Sequence, residues 1–299
     1  MTAKKYEFLS DEDVESFLTT GMVCIRNAFT SEQGEQWSRD TFVRLGYDPH
    51  DPETWAQTRI HMPSLNHRPV KDFSPRAWGA ICELCGGEDR IQQPAQWGDS
   101  FIVNLGAPEH AETWQPPTAN SPGWHKDGDF FRHFLDSPEQ GLLTIILWSD
   151  VLPRGGATFV ATDSVPVVAR FMADKTEGTL PNSFGFKDLI AQCHQFIEAT
   201  GKTGDVYLMH PYILHASSEN ALRLPRLITN PPIHLKEPMN FDRADGDYSL
   251  IEKTVLNALG VDRFPFAPTV PRERIIPERV RRQQEVIAKE KARLAAAGI

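Results

Sequence analysis

Polar and apolar positions change their period twice along the chain. In the first 45 residues the pattern is helical around one extended run. Ser10, Asp11, Glu12 and Asp13 read as an N-cap with an acidic third position, and Gly21 as the stop of the helix they open. Met22–Ile25 is a short apolar run expected as a strand. Thr30 or Ser31 caps a second helix expected to reach about Arg44. Residues 47–75 are rich in Pro, His and Asp without periodicity, and are expected to form a long loop of the kind that serves as a lid. A helix follows over Pro75–Cys85.

From residue 91 to about 235 the pattern turns to short apolar runs split by turn signals. The runs are 100–105 (SFIVNL), 142–148 (LLTIILW), 157–160, 205–209 (DVYLM) and 227–230. Such spacing predicts an all-β sandwich or barrel. A second proline-rich loop, 107–124, interrupts it, and 186–200 reads as a helix or a further crossover loop. The tail, 277–298, is helical in pattern, with Pro277 near its start and Gly298 as its stop. Its basic residues (Arg279, Arg281, Arg282, Lys289, Lys291, Arg293) suit a solvated terminal helix packed by Val280, Ile287 and Leu294.

Composition narrows the function. Of 299 residues, 40 are acidic and 31 basic, giving a net charge of -9. That balance argues against a nucleic-acid partner, which needs clustered positive charge. There is no apolar run of about 18 residues, so no membrane partner is expected. The first residues lack the apolar stretch of a signal peptide. Four cysteines are too few for a disulfide scaffold. The expectation is a cytoplasmic protein with reduced thiols. Cys82 and Cys85 have CxxC spacing, but no second pair follows and Gly86-Gly87 ends their helix, so they read as a helix face.

Candidate chemistry gathers at His125-Lys126-Asp127. In an extended segment residues i and i+2 point the same way, so one imidazole and one carboxylate can grip a single metal ion. About one HxD/E is expected by chance in this composition; there are two, the other being His110-Ala-Glu112. Context separates them. Downstream of His125 come a short strand, the glycine turn Arg154-Gly155-Gly156, and Gly204-Asp205 leading through a strand to His215, with Arg226 eleven residues later. His110 has no such sequel. Two imidazoles and one carboxylate form the facial triad that holds Fe(II) and leaves positions open. A 2-oxo acid fills two of them, O2 takes the third, and the far carboxylate of 2-oxoglutarate needs a cation such as Arg. His210 rivals His215 as second imidazole, and Arg223 rivals Arg226. The apolar strand after Arg226 would point it inward.

These pieces together resemble the phytanoyl-CoA dioxygenase family of Fe(II)- and 2-oxoglutarate-dependent oxygenases. The resemblance runs through residues 8–29 (FLSDEDVESFLTTGMVCIRNAF), 80–91 (AICELCGGEDRI), Trp124-His-Lys-Asp127, 147–160 (LWSDVLPRGGATFV) and 210–217 (HPYILHAS) with Arg226. It implies a mainly β protein with flanking helices: a double-stranded β-helix (jelly-roll, cupin-like) core with N-terminal helices and a C-terminal helix. The expected layout is one domain over 1–299, with support in 1–95, the core in 96–235 and a C-terminal loop and helix in 236–299. It implies His125, Asp127 and His215 as iron ligands and catalytic residues, and Arg226 on the distal carboxylate of 2-oxoglutarate. Trp148 would line the cosubstrate pocket and Ser217 add a hydrogen bond there. The activity implied is oxidation, foremost hydroxylation, of a C–H bond in a small-molecule substrate, with release of succinate and CO2. Asp127 favours this over halogenation, since related halogenases carry a small residue at that position.

The alternatives are another metal-dependent cupin-type enzyme and a non-catalytic small-molecule-binding jelly roll. A homo-oligomer is compatible with either. The segments 47–75, 107–124 and 232–275 match nothing in the family and would shape the substrate pocket. They show no Lys/Arg cluster suited to CoA phosphates, which points to an uncharged or modestly charged metabolite.

Overall fold

A computed structural model describes residues 6–299. The strands in chain order are β1 Met22–Ile25, β2 Arg59–His61, β3 His67–Pro69, β4 Gln96–Gly98, β5 Ile102–Asn104, β6 Leu142–Leu147, β7 Thr158–Ala161, β8 Phe196–Ala199, β9 Val206–Met209, β10 Leu214–Ser217, β11 Arg226–Thr229 and β12 Pro232–Ile233. A major sheet runs β1-β9-β6-β11-β5-β2, with β12 also on β6; a minor sheet runs β10-β7-β8; β3 and β4 pair separately. All these pairings are antiparallel. From β6 onward the chain passes from the major sheet to β7 and β8 in the minor, back to β9, across to β10 and back to β11. This alternation between facing sheets is that of a jelly roll. The fold is therefore mainly β with flanking helices.

The helices are α1 Asp11–Thr20, α2 Ser31–Ser38, α3 Thr41–Leu45, α4 Val70–Phe73, α5 Pro75–Cys85, α6 His110–Thr113, α7 Ser164–Ala173, α8 Phe186–Ile190, α9 Leu250–Leu259 and α10 Glu278–Ala296. Ser10 and Asp13 form the capping box expected of α1, and Gly21 ends it in the left-handed region at φ 73°. The second helix breaks at Arg39-Asp40 instead of running to Arg44. The Thr41 hydroxyl donates to the Ser38 carbonyl, occupying an acceptor that a continuous helix would use. The break turns Arg44 inward, where it meets Asp99 at 3.1 Å and Glu290 of α10 at 2.8 Å. So α10 docks through a buried carboxylate, and Val280, expected to pack, is exposed.

Residues 47–75 are not the structureless loop expected. They contain β2, β3 and α4, and β2 closes one edge of the major sheet on β5. Three-residue strands are too short to show alternation, and their partners select them. Similarly, 186–200 holds both a helix (α8) and a strand (β8), and 232–275 contains α9, whose Glu252 is fully buried between Arg90 at 2.6 Å and Arg243 at 3.0 Å. Cys82 lies half-buried on α5 and Cys85 is buried in it; both thiols are free, and burial pushes the Cys82 thiol up to about 12. One continuous apolar core links the helices to the major sheet. Among the described residues no helix is long and apolar enough to cross a membrane.

Candidate metal centre

His125 is not in a regular strand. It forms a single antiparallel bridge with His215 of β10, through reciprocal backbone hydrogen bonds of 3.0 and 2.9 Å. The bridge adds the His125 segment to the edge of the minor sheet. Just upstream, the Trp124 indole donates to the Thr118 carbonyl and its ring packs 5.4 Å from Phe196. The proline-rich loop is thereby tied to β8. Just downstream, Gly128 turns the chain at φ 118°, where a Cβ would strike the His133 and Phe131 rings.

Alternation puts His125 and Asp127 on one side and Lys126 on the other. Asp127 Oδ1 lies 3.4 Å from His125 Nε2 and 3.4 Å from His215 Nε2. One donor atom from each residue lies within 4.8 Å of the others. Adjacent ligands about 2.1 Å from an octahedral metal stand about 3 Å apart, so the three need close only slightly on an ion. The ring tautomers suit this. His125 Nδ1 is 2.7 Å from the Gly123 carbonyl and His215 Nδ1 is 3.4 Å from the Ile213 carbonyl. Protonated there, both rings turn the lone pair of Nε2 to the centre. Asn230 donates to Asp127 Oδ2 at 2.7 Å, which leaves Oδ1 for the ion. Burial would raise the Asp127 carboxyl, but the two imidazoles outweigh it and hold it well below the usual carboxylate range.

Lys126 is buried behind the triad. Its ammonium lies 2.7 Å from His133 Nδ1 and within 5.7–5.9 Å of the Phe131, Phe184 and Tyr212 ring centres. Burial brings it down to about 7. Burial first, and Lys126 second, push His133 down to about 2, and its other nitrogen donates to the Gly128 carbonyl.

Arg226 comes from the facing sheet. It is 2% exposed. Its one hydrogen bond is 3.3 Å to the Ile102 carbonyl, its Nε is without a partner, and no carboxylate among the described residues pairs with it. Burial, with a contribution from Arg59, pulls the guanidinium down to about 9. A buried cation without an anion is costly.

The other candidates fall elsewhere. His210 is buried and bonded to the Tyr212 amide and the Ile251 carbonyl, away from Asp127. Burial takes it down to about 3. His110 and Glu112 lie on the short helix α6, where residues two apart diverge. Arg223 sits on a left-handed turn over the Trp55 ring. Ser217 is two residues past His215 on the same side of β10, and its hydroxyl accepts from Arg59.

Trp148 is not brought to the triad. Register pairs Thr229 with Ile146 and Ile228 with Leu147, so Trp148 shares the face of Thr229, opposite Arg226. Its indole donates to the Thr229 hydroxyl at 2.9 Å, and its ring packs on Phe29, Phe73, Trp97 and Phe101 under the N-terminal helices. Two residues beside the triad go unmarked in the sequence analysis, Asn230 and Arg59. Asn230 continues the alternation Arg226, Ile228, Asn230, a signal that could have found it.

No family model matches the chain, and no curated protein matches it. Among solved structures it is similar to SnoK, a non-heme α-ketoglutarate-dependent carbocyclase from nogalamycin biosynthesis (15% identity over 76% of this chain and 84% of that one, TM-score 0.45). It is similar also to EctD from S. alaskensis with 2-oxoglutarate and 5-hydroxyectoine (18%, 78% and 78%, TM-score 0.43). A third is HygX from Streptomyces hygroscopicus with iron bound (17%, 74% and 85%, TM-score 0.42).

Proposed function

We propose that this chain is an Fe(II)- and 2-oxoglutarate-dependent oxygenase of the phytanoyl-CoA dioxygenase kind. It would oxidise, foremost hydroxylate, a C–H bond of a small-molecule metabolite. The observation that carries the reading is the pairing of the His125–Asp127–His215 triad with a buried, anionless Arg226 on the facing sheet. A cupin-type metal enzyme needs the first and has no use for the second. A non-catalytic jelly roll needs neither.

His125 and His215 would bind the iron through Nε2 and Asp127 through Oδ1, with Asn230 fixing the carboxylate plane. When bound, iron and 2-oxoglutarate supply the oxidising chemistry, O2 being consumed and 2-oxoglutarate leaving as succinate and CO2. Arg226 would hold the distal carboxylate, its planar fork giving two parallel hydrogen bonds. Ser217 stands near enough to His215 to add a donor beside it. The aromatic cluster around Trp148 backs the sheet that carries Arg226 and keeps water from its far side.

The test is an anaerobic titration with Fe(II) and then 2-oxoglutarate. Chelation of the keto acid to triad-bound Fe(II) should give a weak visible band near about 500 nm. Asp127→Ala should abolish it, and Arg226→Met should require far more 2-oxoglutarate. No band in the wild-type protein at saturating iron and cosubstrate would refute the proposal.

A further inference from the structure

Arg226 is not the only arginine facing the site. Register pairs both Arg59 of β2 and Arg226 of β11 with Asn104 of β5. Directly paired residues share a sheet face. Arg59, Asn104 and Arg226 therefore form one row on the inner face of the major sheet, the arginines about 10 Å apart at the usual strand spacing. Arg59 is the exposed end of the row, on the edge strand. Its guanidinium stays within reach of solvent. It crosses to the minor sheet and donates to the Ser217 hydroxyl, two residues past the ligand His215. Its charge is felt at His125 on one side and at Arg226 on the other. No carboxylate among the described residues pairs with it. Two like charges have thus been placed on one sheet face without an internal counter-ion among the described residues, an arrangement that attracts anions.

The charge count, which rests on the oxygenase reading above, says which anion. A divalent metal, Asp127, Arg226 and the dianion of 2-oxoglutarate cancel. Arg59 is left as one positive charge at the open end. We propose that Arg59 is a specificity residue that binds a carboxylate, or a comparable monoanionic group, on the primary substrate. The substrate class is then a small organic acid whose oxidised C–H lies on the metal side of that group. Ser217 holds the guanidinium in place before the substrate arrives, and Arg59 reaches solvent, so a ligand can engage it on entry.

The experiment uses zinc-loaded protein with 2-oxoglutarate, which cannot turn over, and two probes of equal chain length, hexanoate and hexanol. Saturation-transfer NMR reads binding of each, and calorimetry reads 2-oxoglutarate. Hexanoate should bind clearly better than hexanol. Arg59→Gln, which keeps hydrogen bonding and removes charge, should weaken hexanoate about tenfold, the worth of one charge-assisted hydrogen bond. Arg59→Lys should restore part of it, and 2-oxoglutarate affinity should hold within about twofold in both variants. Equal binding of the two probes, or a hexanoate signal unchanged in Arg59→Gln, overturns the proposal. So does a loss of 2-oxoglutarate affinity in Arg59→Gln as large as in Arg226→Met, which would make Arg59 part of the cosubstrate clamp. Absence of 2-oxoglutarate binding in the wild-type protein overturns the oxygenase reading itself, and the substrate role with it, whatever hexanoate does.

Discussion

Replacing Arg226 with methionine should stabilise the ligand-free protein. Burial brings the Arg226 guanidinium down from the usual arginine range to about 9. At about 1.36 kcal/mol per pH unit that is a cost of about 5 kcal/mol for holding the charge inside. The bond to the Ile102 carbonyl returns about 1 kcal/mol, and local relaxation reduces the remainder. A gain of about 2–4 kcal/mol is therefore expected from a methionine of similar length. A chain of this size unfolds with an entropy of about 0.6 kcal/mol/K, so Tm should rise by about 3–6 °C. The sign with pH follows. A base with a lowered folded pKa carries its full cost below that value and sheds it only as pH climbs from about 9 towards the usual arginine range. The gap between variant and wild type should be flat from about pH 6 to 8. Saturating 2-oxoglutarate should then raise the Tm of the metal-loaded wild type by about 4 °C at roughly a hundredfold excess over Kd, and leave the variant unmoved. The assay is differential scanning calorimetry at two pH values. A lower Tm in ligand-free Arg226→Met would refute the reasoning, because it would mean that the charge is already compensated inside the protein.

Other outcomes follow from single contacts. Asn230→Ala, which frees Asp127 Oδ2, should weaken zinc binding about tenfold by calorimetry; an unchanged Kd would show that the carboxylate needs no such support. Trp148→Phe should cost about 1 kcal/mol through the lost bond to Thr229, yet leave 2-oxoglutarate affinity within about twofold; a larger loss of affinity would return Trp148 to the pocket. Burial would raise the Glu252 carboxyl, but Arg90 and Arg243 hold it down at about 2. Its contribution should be present above about pH 4.5 and be lost as pH falls towards 2. Glu252→Gln should therefore be destabilised by about 3 kcal/mol at pH 7 in urea unfolding, with the difference narrowing at pH 3. A constant difference would show that charge is not the cause.

The triad was legible because its signal is local. His125 and Asp127 sit at the one spacing that an extended chain turns into a shared direction, and His215 follows a turn and strand of readable pattern. Arg226 was legible for the same reason, heading an apolar strand. Trp148 was harder, since its face depends on how β6 registers against β11, which no pattern within either strand records. Arg59 left no signal, because β2 has three residues and exists only through its pairing with β5. The jelly-roll alternation could be foreseen, whereas β8 and α9 could not. Each is selected by what it packs against, as Glu252 is by two arginines distant in sequence.

The buried Lys126 gives the ligand segment a memory of its own position. A single pair of backbone bonds ties His125 to β10, and so short a ladder tolerates slippage. A shift by one residue would exchange the two faces. An ammonium would enter the place between the two imidazoles, and an imidazole and a carboxylate would be driven among Phe131, Phe184 and Tyr212. Either half of that exchange is costly, and neither can occur without the other. Fidelity of this alignment thus comes from the residue on the opposite face, whose ammonium also donates to the Asp127 carbonyl at 3.3 Å.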